Sequence, residues 1–430
     1  MSLTPRPYKG TRDYYPEDKR LQNYIFEAWQ NVSQRFGYEE YGAPILEPLD
    51  IYAAKTGQEI VNEQTYQFTD RGGRNVAIRP EMTPSVSRMI AGKRQELPYP
   101  ARWYSIANFM RYERPQHGRE REFWQLNVDI FGADTIDADA EMIVMAADLM
   151  KELKATSEMY TIKVNNRRLI NFMMAEYLEL DVEQAVQMIK LFDRKDKIEP
   201  IAFKEQATLL FDETKTKEGL KKIATLLSAK TMADLPPMIR DCDAVKEIQD
   251  LFTLLTDAGI TNAKLDITLM RGFDYYTGIV FEVFDNHPDN RRSMFGGGRY
   301  DGLVSLFGAK PISAVGMAPG GTTTEDFLRS HKLIPNFTSL TDIYIIALGE
   351  SLTGAQKVAS KLRSQGVNIE VDITNRKLDK QIKAALKKKV PYLLFIGEEE
   401  LKSEIFTLKE VSTEKEQKLS IKEIVSRITR

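Results

Sequence analysis

The sequence is poor in cysteine and histidine. Its one cysteine, Cys242, excludes an internal disulfide, and no spacing joins it with the three histidines into a recognisable zinc site. The first residues lack the apolar segment of a secretory leader, and no later stretch approaches the roughly 18 uncharged residues that cross a membrane. We therefore expect a cytoplasmic protein with no membrane partner and no metal site built from protein ligands alone.

Length and charge set further bounds. A chain of 430 residues predicts two or three domains, and 42% hydrophobic with 28% charged residues is typical of a globular enzyme. The formal net charge of −2 argues against a protein that coats nucleic acid nonspecifically. Residues 341–430 nevertheless carry 17 Lys and Arg against 13 Asp and Glu, a net charge of +4. This sign is the one expected of a segment that contacts RNA locally.

The N-terminal part alternates helical and extended patterns. Apolar residues at a period of 3.6 after Pro16 predict a helix that stops at Gly37. An extended segment is predicted at 38–46, broken only at Gly42, Ala43 and Pro44. The next predicted elements are a β-hairpin at 65–79 and a helix at 83–93.

Segments 104–111 and 122–131 contain the most informative pattern. Both predict strands, and an arginine-rich loop joins them. The second strand has a period of two, with an apolar face and a polar face that carries Gln125, Asn127 and Asp129. For a lone strand, a solvent-exposed outer face would explain this pattern. The neighbouring arginines favour instead a sheet floor that holds a polar substrate.

The second half of the chain divides into three patterns. Helical patterns dominate from about 167 to 255 without any chemical motif, which predicts a helical insertion. Strands return at 264–270 and 278–284, and a glycine-rich turn is predicted at 295–302. After residue 341, strands alternate with helices, which predicts a small, mostly parallel α/β domain.

Two segments carry cations suited to an anionic ligand. The loop from Arg111 to Arg121 offers planar guanidinium groups that can bind phosphate through paired hydrogen bonds, although such a cluster can also be merely solvated. Arg271 would need an anionic partner if buried, whereas the nearby Tyr275 and Tyr276 can be explained by packing alone.

A third segment, RPEMT, contains Glu81 and Thr83. Thr83 is suited to cap a helix, and Glu81 could pair with an ammonium group. The usual nucleotide and nucleophile motifs are absent from the sequence: there is no GxxxxGK[ST] loop, no strand–GxGxxG–helix and no nucleophile elbow.

These segments resemble the class II aminoacyl-tRNA synthetases and, over essentially the whole chain, the histidyl-tRNA synthetase family. YGAPILEP is similar to class II motif 1, RYERPQHGREREFWQLNVDIFG to motif 2, and RGFDYYTGIVFEVFD to the histidine-specific signature. Further matching segments are KGTRDYYP, RPEMTPS, GGGRYDGL and YLLFIGEEEL. RYERPQ and RGFDYYTG in this order are highly specific for the family.

The resemblance implies the fold and its domains. We expect an α+β catalytic domain at 1–330, with an antiparallel sheet flanked by helices and interrupted by the helical insertion at about 167–255. A linker at 331–341 and an α/β anticodon-binding domain at 342–430 would follow. Motif 1 implies a homodimer.

The resemblance also implies an activity. Histidine would be activated by ATP with Mg²⁺ and then transferred to tRNA(His). Arg111 and Arg271 would act in catalysis at the α-phosphate. The other implied roles are ATP binding by Arg111, Glu113 and Arg119, histidine binding by Glu81, Thr83, Gln125, Asp129, Tyr275 and Tyr276, and contact with the tRNA acceptor end by Arg114 and Gln116.

The sequence departs from the family pattern at two places. The arginine of class II motif 3 is absent from GMAPGGTTTEDFL, and the next arginine is Arg329. Asp129 stands where the family often has Glu, which shortens the reach of the carboxylate. One alternative is therefore a catalytically inactive, synthetase-like regulatory subunit of histidine biosynthesis. A second alternative, an RNA-binding module, leaves the polar strand face unexplained.

The substitution Arg271→Ala tests the implied catalytic role. If Arg271 stabilises charge that develops on the α-phosphate, the variant should lose amino-acid adenylation and keep its oligomeric state, because the residue acts on the transition state. ATP–pyrophosphate exchange and sedimentation measure the two properties. Near-normal exchange by the variant would refute the role.

Overall fold

The computed structural model of the protein describes residues 3–53, 63–114, 118–195, 198–270, 275–290, 292–374 and 376–429. Two of the residues singled out above, Gln116 and Arg271, lie outside the described residues. The chain divides into two compact units, Met1–Ile334 and Pro335–Arg430, called here the first and second units. Among the described helices, none has the length and apolar character needed to cross a membrane.

The described elements of the first unit are helices and strands in mixed order. The helices are α1 (Pro16–Arg35), α2 (Asp50–Ala53), α3 (Thr83–Lys93), α4 (Ile136–Glu152), α5 (Arg167–Phe172), α6 (Val182–Asp193), α7 (Pro200–Thr208), α8 (Thr216–Ser228), α9 (Pro237–Arg240), α10 (Asp243–Asp257) and α11 (Gly321–Ser330). The strands are β1 (Glu39–Glu40), β2 (Leu46–Pro48), β3 (Gln67–Thr69), β4 (Asn75–Ile78), β5 (Ala101–Met110), β6 (Glu122–Phe131), β7 (Tyr160–Asn166), β8 (Ala263–Leu265), β9 (Ile279–Asp285), β10 (Ser293–Arg299) and β11 (Ala314–Met317).

A large sheet forms the centre of the first unit. In the part of the chain that the structure describes, eight strands pair in the order β1-β5-β6-β11-β10-β9-β7-β8. All pairings are antiparallel except those of the edge strands β1 and β8. Helices α4, α10 and α11 pack on this sheet, and α1 packs on α4 and α11. The predicted α+β class, an antiparallel sheet flanked by helices, is confirmed.

The helix predicted after Pro16 is confirmed, and its sequence explains both ends. Proline occupies the first turn, where the missing N–H would have no partner in the helix. The inner face buries Leu21, Ile25 and Trp29, and Gly37 follows the helix with a positive φ of 79°. The apolar residues that recur with a period of 3.6 therefore form the face that the helix buries against α4 and α11.

The predicted extended segment at 38–46 is confirmed only in part. Its break at Gly42, Ala43 and Pro44 is confirmed, but the strands on either side are short, because only β1 and the first residue of β2 fall within the segment. Proline cannot donate a ladder hydrogen bond, so the chain leaves the large sheet here. It continues into a separate antiparallel sheet of order β2-β4-β3, in which β3 and β4 form the predicted hairpin.

The predicted glycine-rich turn at 295–302 is also wrong, because its first half is the interior strand β10. A Cβ added at Gly297 would lie 2.2 Å from the carbonyl oxygen of Gly316 and 2.8 Å from Cβ of Met317 on the neighbouring strand. The glycines therefore allow β10 and β11 to approach closely. In the sequence, a glycine cluster is a turn signal, and only the pairing partners reveal the strand.

Helical structure dominates residues 167–255, as predicted. Between α5 and α6 the chain forms a π-helical turn at Met173–Tyr177, and a capping box of Asp181 and Gln184 begins α6. The last helix of the segment, α10, buries its apolar face against α4 and β7. This helix therefore belongs to the helical layer that covers the large sheet.

The second unit alternates strands with helices before it ends in a hairpin and a helix. Its elements are β12 (Ile343–Ala347), α12 (Leu352–Arg363), β13 (Ile369–Val371), α13 (Leu378–Lys387), β14 (Tyr392–Ile396), α14 (Glu398–Ser403), β15 (Phe406–Glu410), β16 (Glu416–Leu419) and α15 (Ile421–Ile428). The sheet order is β13-β12-β14-β15-β16, parallel in its first two pairings and antiparallel in the last two. The prediction of a mostly parallel sheet missed β15 and β16, because β16 is almost entirely polar.

The substitution Gly297→Ala tests the close approach of β10 and β11. The added methyl group would overlap backbone, so we expect a loss of about 2 kcal/mol or more in the free energy of unfolding. Urea unfolding followed by tryptophan fluorescence reports on the first unit alone, because all three tryptophans lie there. Gly302→Ala is the matched control, since no atom lies within 4 Å of the position that its added Cβ would occupy. An equal effect of both substitutions would contradict this account.

Candidate active site

A cavity of about 1040 Å³ opens over the large sheet of the first unit. Its walls come from β6, β9, β10 and β11, from the loop before β6, from the start of α3 and from the insertion helix α6. The predicted site residues that line it are Glu81, Thr83, Arg111, Glu113, Arg119, Gln125, Asp129, Tyr275 and Tyr276. These residues are spread over almost 200 positions of the chain, and the sheet brings them to one place.

The polar face of β6 forms the floor of the cavity. Gln125, Asn127 and Asp129 all line it, and Asn127 and Asp129 are almost completely buried. Gln125 donates from Nε2 to the carbonyl oxygen of Ala318 at 3.0 Å, which fixes its amide against the chain beyond β11. The strand thus directs its polar side chains into an enclosed space, and the alternative of a solvent-exposed outer face is wrong.

Asp129 is the deepest acidic group of the floor. The hydroxyl of Tyr300 donates to its carboxylate, but burial still raises the pKa of Asp129 to about 7. A Cβ on Gly316 of β11 would lie 2.2 Å from Oδ1 of Asp129, so only glycine leaves room beside the carboxylate. Tyr300 was missed in the sequence because its segment, 295–302, has the composition of a turn.

A second acidic group, Glu81, lies at the start of α3. It is 3% exposed, and the hydroxyl of Tyr275 donates to its Oε2 at 3.2 Å. The same hydroxyl lies 3.5 Å from Oγ1 of Thr83. Burial and the nearby carboxylate raise the pKa of Tyr275 well above its ordinary value, so the phenol stays protonated.

The structural interpretation of Thr83 as a helix cap is wrong. The residue before α3 is Met82, and Thr83 is the first residue of the helix, with no capping hydrogen bond from a side chain. Proline at the next position suits the start of a helix and removes one N–H that would otherwise need a partner. Thr83 is therefore available to the cavity that it lines.

Two arginines, Arg111 and Arg119, also line the cavity. Arg111 donates from Nε to the carbonyl oxygen of Pro80 at 2.9 Å, and its guanidinium carbon lies 5.2 Å from the ring centre of Phe123. Arg119 forms an ion pair with Glu113, at 3.0 Å between Nη1 and Oε2, and about half of its side chain is exposed. Arg111 is thus held in place, whereas Arg119 lies at the cavity mouth.

The segment after β11 lines the cavity without an arginine. Gly320 to Thr323 form its wall at the start of α11, and the hydroxyl of Thr322 donates to Glu120 at 3.2 Å. Arg329, the next arginine in the chain, lies near the end of α11, where it pairs with Glu325 at 2.8 Å. Arg329 does not line the cavity, so it does not take the place of the missing motif 3 arginine.

The insertion also contributes to the cavity. Val186, Ile189, Lys190 and Arg194, on or just after α6, line its wall. No pattern in the sequence indicated this role, because the insertion has no chemical motif and its distance from the sheet residues along the chain is large.

Two predicted residues for the tRNA acceptor end cannot be placed in this cavity. Arg114 is exposed and is not part of the lining, and Gln116 lies outside the described residues, as does the predicted catalytic Arg271. Within the described ranges, no group of three His, Cys, Asp or Glu side chains is arranged to hold a metal ion.

The lining carries charges of both signs. Carboxylates of Glu81 and Asp129 and the two tyrosine hydroxyls suit a small molecule with a cationic group and a polar ring. Arg111 and Arg119 suit the phosphates of a second molecule. The cavity therefore offers groups that suit two different reactants.

Comparison with known proteins agrees with this division into two units. A family model described as histidyl-tRNA synthetase matches residues 10–320, and an anticodon-binding domain model matches residues 342–430. A histidine–tRNA ligase of Leptospira biflexa serovar Patoc is 40% identical over 431 aligned residues, which cover 100% of this chain and 98% of the relative. One from Haloarcula marismortui is 36% identical, with 94% and 93% covered.

The fold is similar to that of a solved structure of histidyl-tRNA synthetase from Nostoc sp. PCC 7120. The TM-score is 0.82 with both chains fully covered, and 22% of the aligned residues are identical. At this level of identity the likeness concerns the fold alone.

The buried carboxylate of Asp129 makes a prediction about stability. Its pKa is about 7 in the folded state against an ordinary value of 3.8, so the unfolded chain releases this proton at lower pH than the folded protein does. Below pH 4 the carboxyl group is protonated in both states, and the stability associated with it is fully present. This stability is lost as the pH rises to about 7, because only the unfolded chain has then released the proton. We expect Asp129→Asn to stabilise the substrate-free protein by up to about 4 kcal/mol at pH 8 and by little near pH 4.

Urea unfolding of the first unit, followed by tryptophan fluorescence at several pH values, measures this difference. Asp257→Asn, at the exposed end of α10, is the control and should have little effect at any pH. A stabilisation by Asp129→Asn that does not change between pH 4 and pH 8 would show that the carboxylate is not the cause.

Proposed function

The chain belongs to the histidyl-tRNA synthetase family. From this membership we propose that the cavity activates histidine with ATP and then transfers it to tRNA. The family expected from the sequence is confirmed, and the chain is an aminoacyl-tRNA ligase for histidine. The observation that supports the assignment to the cavity is that buried carboxylates and arginines line one cavity over the shared β6 floor. The roles of individual residues are part of the proposal.

In this proposal histidine binds beside the buried carboxylates of the cavity. Asp129 and Tyr276 hold the imidazole ring, with Tyr275 beside them, and Glu81, Thr83 and Gln125 surround the α-amino group. The burial of Asp129 and Glu81 supports these roles, because buried carboxylates gain most from a ligand that supplies hydrogen-bond donors. The pKa of about 7 for Asp129 would fall when an imidazole N–H donates to its carboxylate.

ATP binds beside the arginines. Arg111 and Arg271 are proposed at the α-phosphate, Glu113 near adenine and Arg119 near the terminal phosphates. The Arg119–Glu113 ion pair lies at the mouth, where ATP binding would exchange it for contacts with the nucleotide. Fixation of Arg111 by Pro80 and Phe123 supports a role that requires a defined position.

The first step transfers the adenylyl group of ATP. A carboxylate oxygen of histidine attacks the α-phosphorus, the bond from this phosphorus to the bridging oxygen breaks, and pyrophosphate leaves with that electron pair. No enzyme nucleophile is needed, because the floor aligns the two reactants and Arg111 stabilises charge on the phosphorus oxygens. In the second step a ribose hydroxyl of the terminal adenosine of tRNA attacks the carbonyl carbon, and AMP leaves.

Mg²⁺ is proposed to accompany ATP. Glu120 on the motif 2 loop would supply a carboxylate to it, since one or two carboxylates suffice when phosphates and water complete the coordination shell. Burial raises the pKa of Glu120, and a cation would reverse this effect. When bound, the ion would neutralise phosphate charge and help to orient the triphosphate.

The tRNA contacts and the assembly complete the proposal. Arg114 and Gln116 would meet the acceptor end, and the second unit would bind the anticodon, for which the match to an anticodon-binding model and the charge of +4 give support. A homodimer is supported by apolar exposure on the small sheet, where Leu46 and Phe68 are 45% and 48% exposed. A cytoplasmic location fits the single cysteine.

The domain division is proposed with the boundaries that the sequence predicts. The catalytic domain would cover 1–330 with the insertion at about 167–255, followed by a linker at 331–341 and the anticodon-binding domain at 342–430. The two compact units support the place of the linker, because they divide at Ile334 and Pro335.

ATP–pyrophosphate exchange with each of the twenty amino acids tests the proposed function. We expect exchange with histidine alone, since a pocket of placed donors and acceptors rejects other side chains by a factor of roughly 10⁴–10⁵. Arg329→Ala is a matched control: this arginine lies outside the cavity, so its removal should leave exchange unchanged.

Absence of exchange with every amino acid, from a folded sample, would overturn the proposed catalysis. It would favour the alternative of a regulatory subunit of histidine biosynthesis, with the missing motif 3 arginine as the cause.

A further inference from the structure

Asn127 occupies the centre of the cavity floor, between Gln125 and Asp129 on the same face of β6. It is 3% exposed and lines the cavity. Among the described residues, none accepts a hydrogen bond from its buried Nδ2. Folded proteins rarely leave a buried donor without an acceptor, because water has been removed and nothing replaces it. A bound molecule can supply the missing acceptor at this point.

The position of Asn127 limits which part of a ligand can reach it. Alternate residues of a strand lie about 7 Å apart on one face, so Asn127 is one such step from Asp129. In the proposed function, the imidazole ring is held at Asp129. The carboxylate of histidine is separated from the far side of its ring by a similar distance, which brings the carboxylate near Asn127.

The chemistry of Nδ2 of Asn127 indicates which polar group of histidine it can contact. An amide N–H₂ group only donates, so its partner must be an acceptor. The α-ammonium group has no free lone pair, and the ring is assigned to Asp129 and Tyr276. We propose that Nδ2 of Asn127 donates to the carboxylate of bound histidine, and to the carbonyl oxygen that derives from it in the adenylate. This inference rests on the proposed function.

Two substitutions and two ligands test this role. Histamine keeps the ring and the amino group of histidine but has hydrogen in place of the carboxylate, so it offers no acceptor to Nδ2. We expect Asn127→Ala to raise the Kd for histidine about 10- to 100-fold, as for loss of a hydrogen bond to a charged group, and to leave the Kd for histamine unchanged. Asn127→Asp has nearly the same shape but opposes the carboxylate with a like charge. It should therefore weaken histidine more than Asn127→Ala does, again without weakening histamine.

Binding is measured by titration calorimetry of the full chain without ATP, with the unfolding midpoint recorded for each variant. Ser105→Ala is the matched control. Ser105 lies directly opposite Asn127 in the β5–β6 register and is also 3% exposed, but it does not line the cavity. Its removal should leave both Kd values unchanged.

The outcomes separate this inference from the proposed function. Selective loss of histidine affinity supports the contact with the carboxylate. Equal weakening of both ligands, or no change for either, overturns the role of Asn127 while leaving histidine binding by the cavity intact. If the unmodified protein binds neither ligand, the proposed function is overturned and, with it, this contact.

Discussion

Polar side chains that are buried in the middle of a large sheet destabilise the protein unless they form hydrogen bonds. The surroundings of β6 in the first unit supply such hydrogen bonds to its polar face. Asp129 accepts a hydrogen bond from Tyr300, and Gln125 donates to the chain beyond β11. Gly316 leaves room for the carboxylate of Asp129, because a Cβ there would lie 2.2 Å from Oδ1, and Gly297 allows β10 to approach β11 closely. The result is a floor that is buried and polar but still open to a ligand.

The free energy cost of the buried carboxylate of Asp129 connects stability with function. A carboxylate whose pKa is about 7 destabilises the substrate-free protein at neutral pH, and a ligand that donates to it removes the cause. Binding specificity has the same origin, since a ligand without the matching donors leaves the buried groups unpaired. In the proposed function, carboxylates and arginines of one cavity would hold an amino acid and a nucleotide together, so no covalent enzyme intermediate is needed.

Local patterns in the sequence predicted much of this arrangement. The period of 3.6 after Pro16 and the period of two in β6 each identified a buried face, because these periods follow from the geometry of a helix and a strand. The predictions failed where pairing overrides local preference. The interior strand β10 contains three consecutive glycines, and β16 is polar, so neither has the composition of a strand.

The sequence by itself determined the family, the fold class and the residues proposed to bind an amino acid and phosphates, because these depend on residue type, spacing and local period. Only the tertiary structure decided what surrounds those residues. Tyr300 reaches Asp129 across 171 positions of the chain, and α6 of the insertion forms part of the cavity wall. The missing partner of Asn127 is likewise visible only in the folded chain. Such contacts join segments that are distant in sequence, and no local pattern records which buried group will meet which partner.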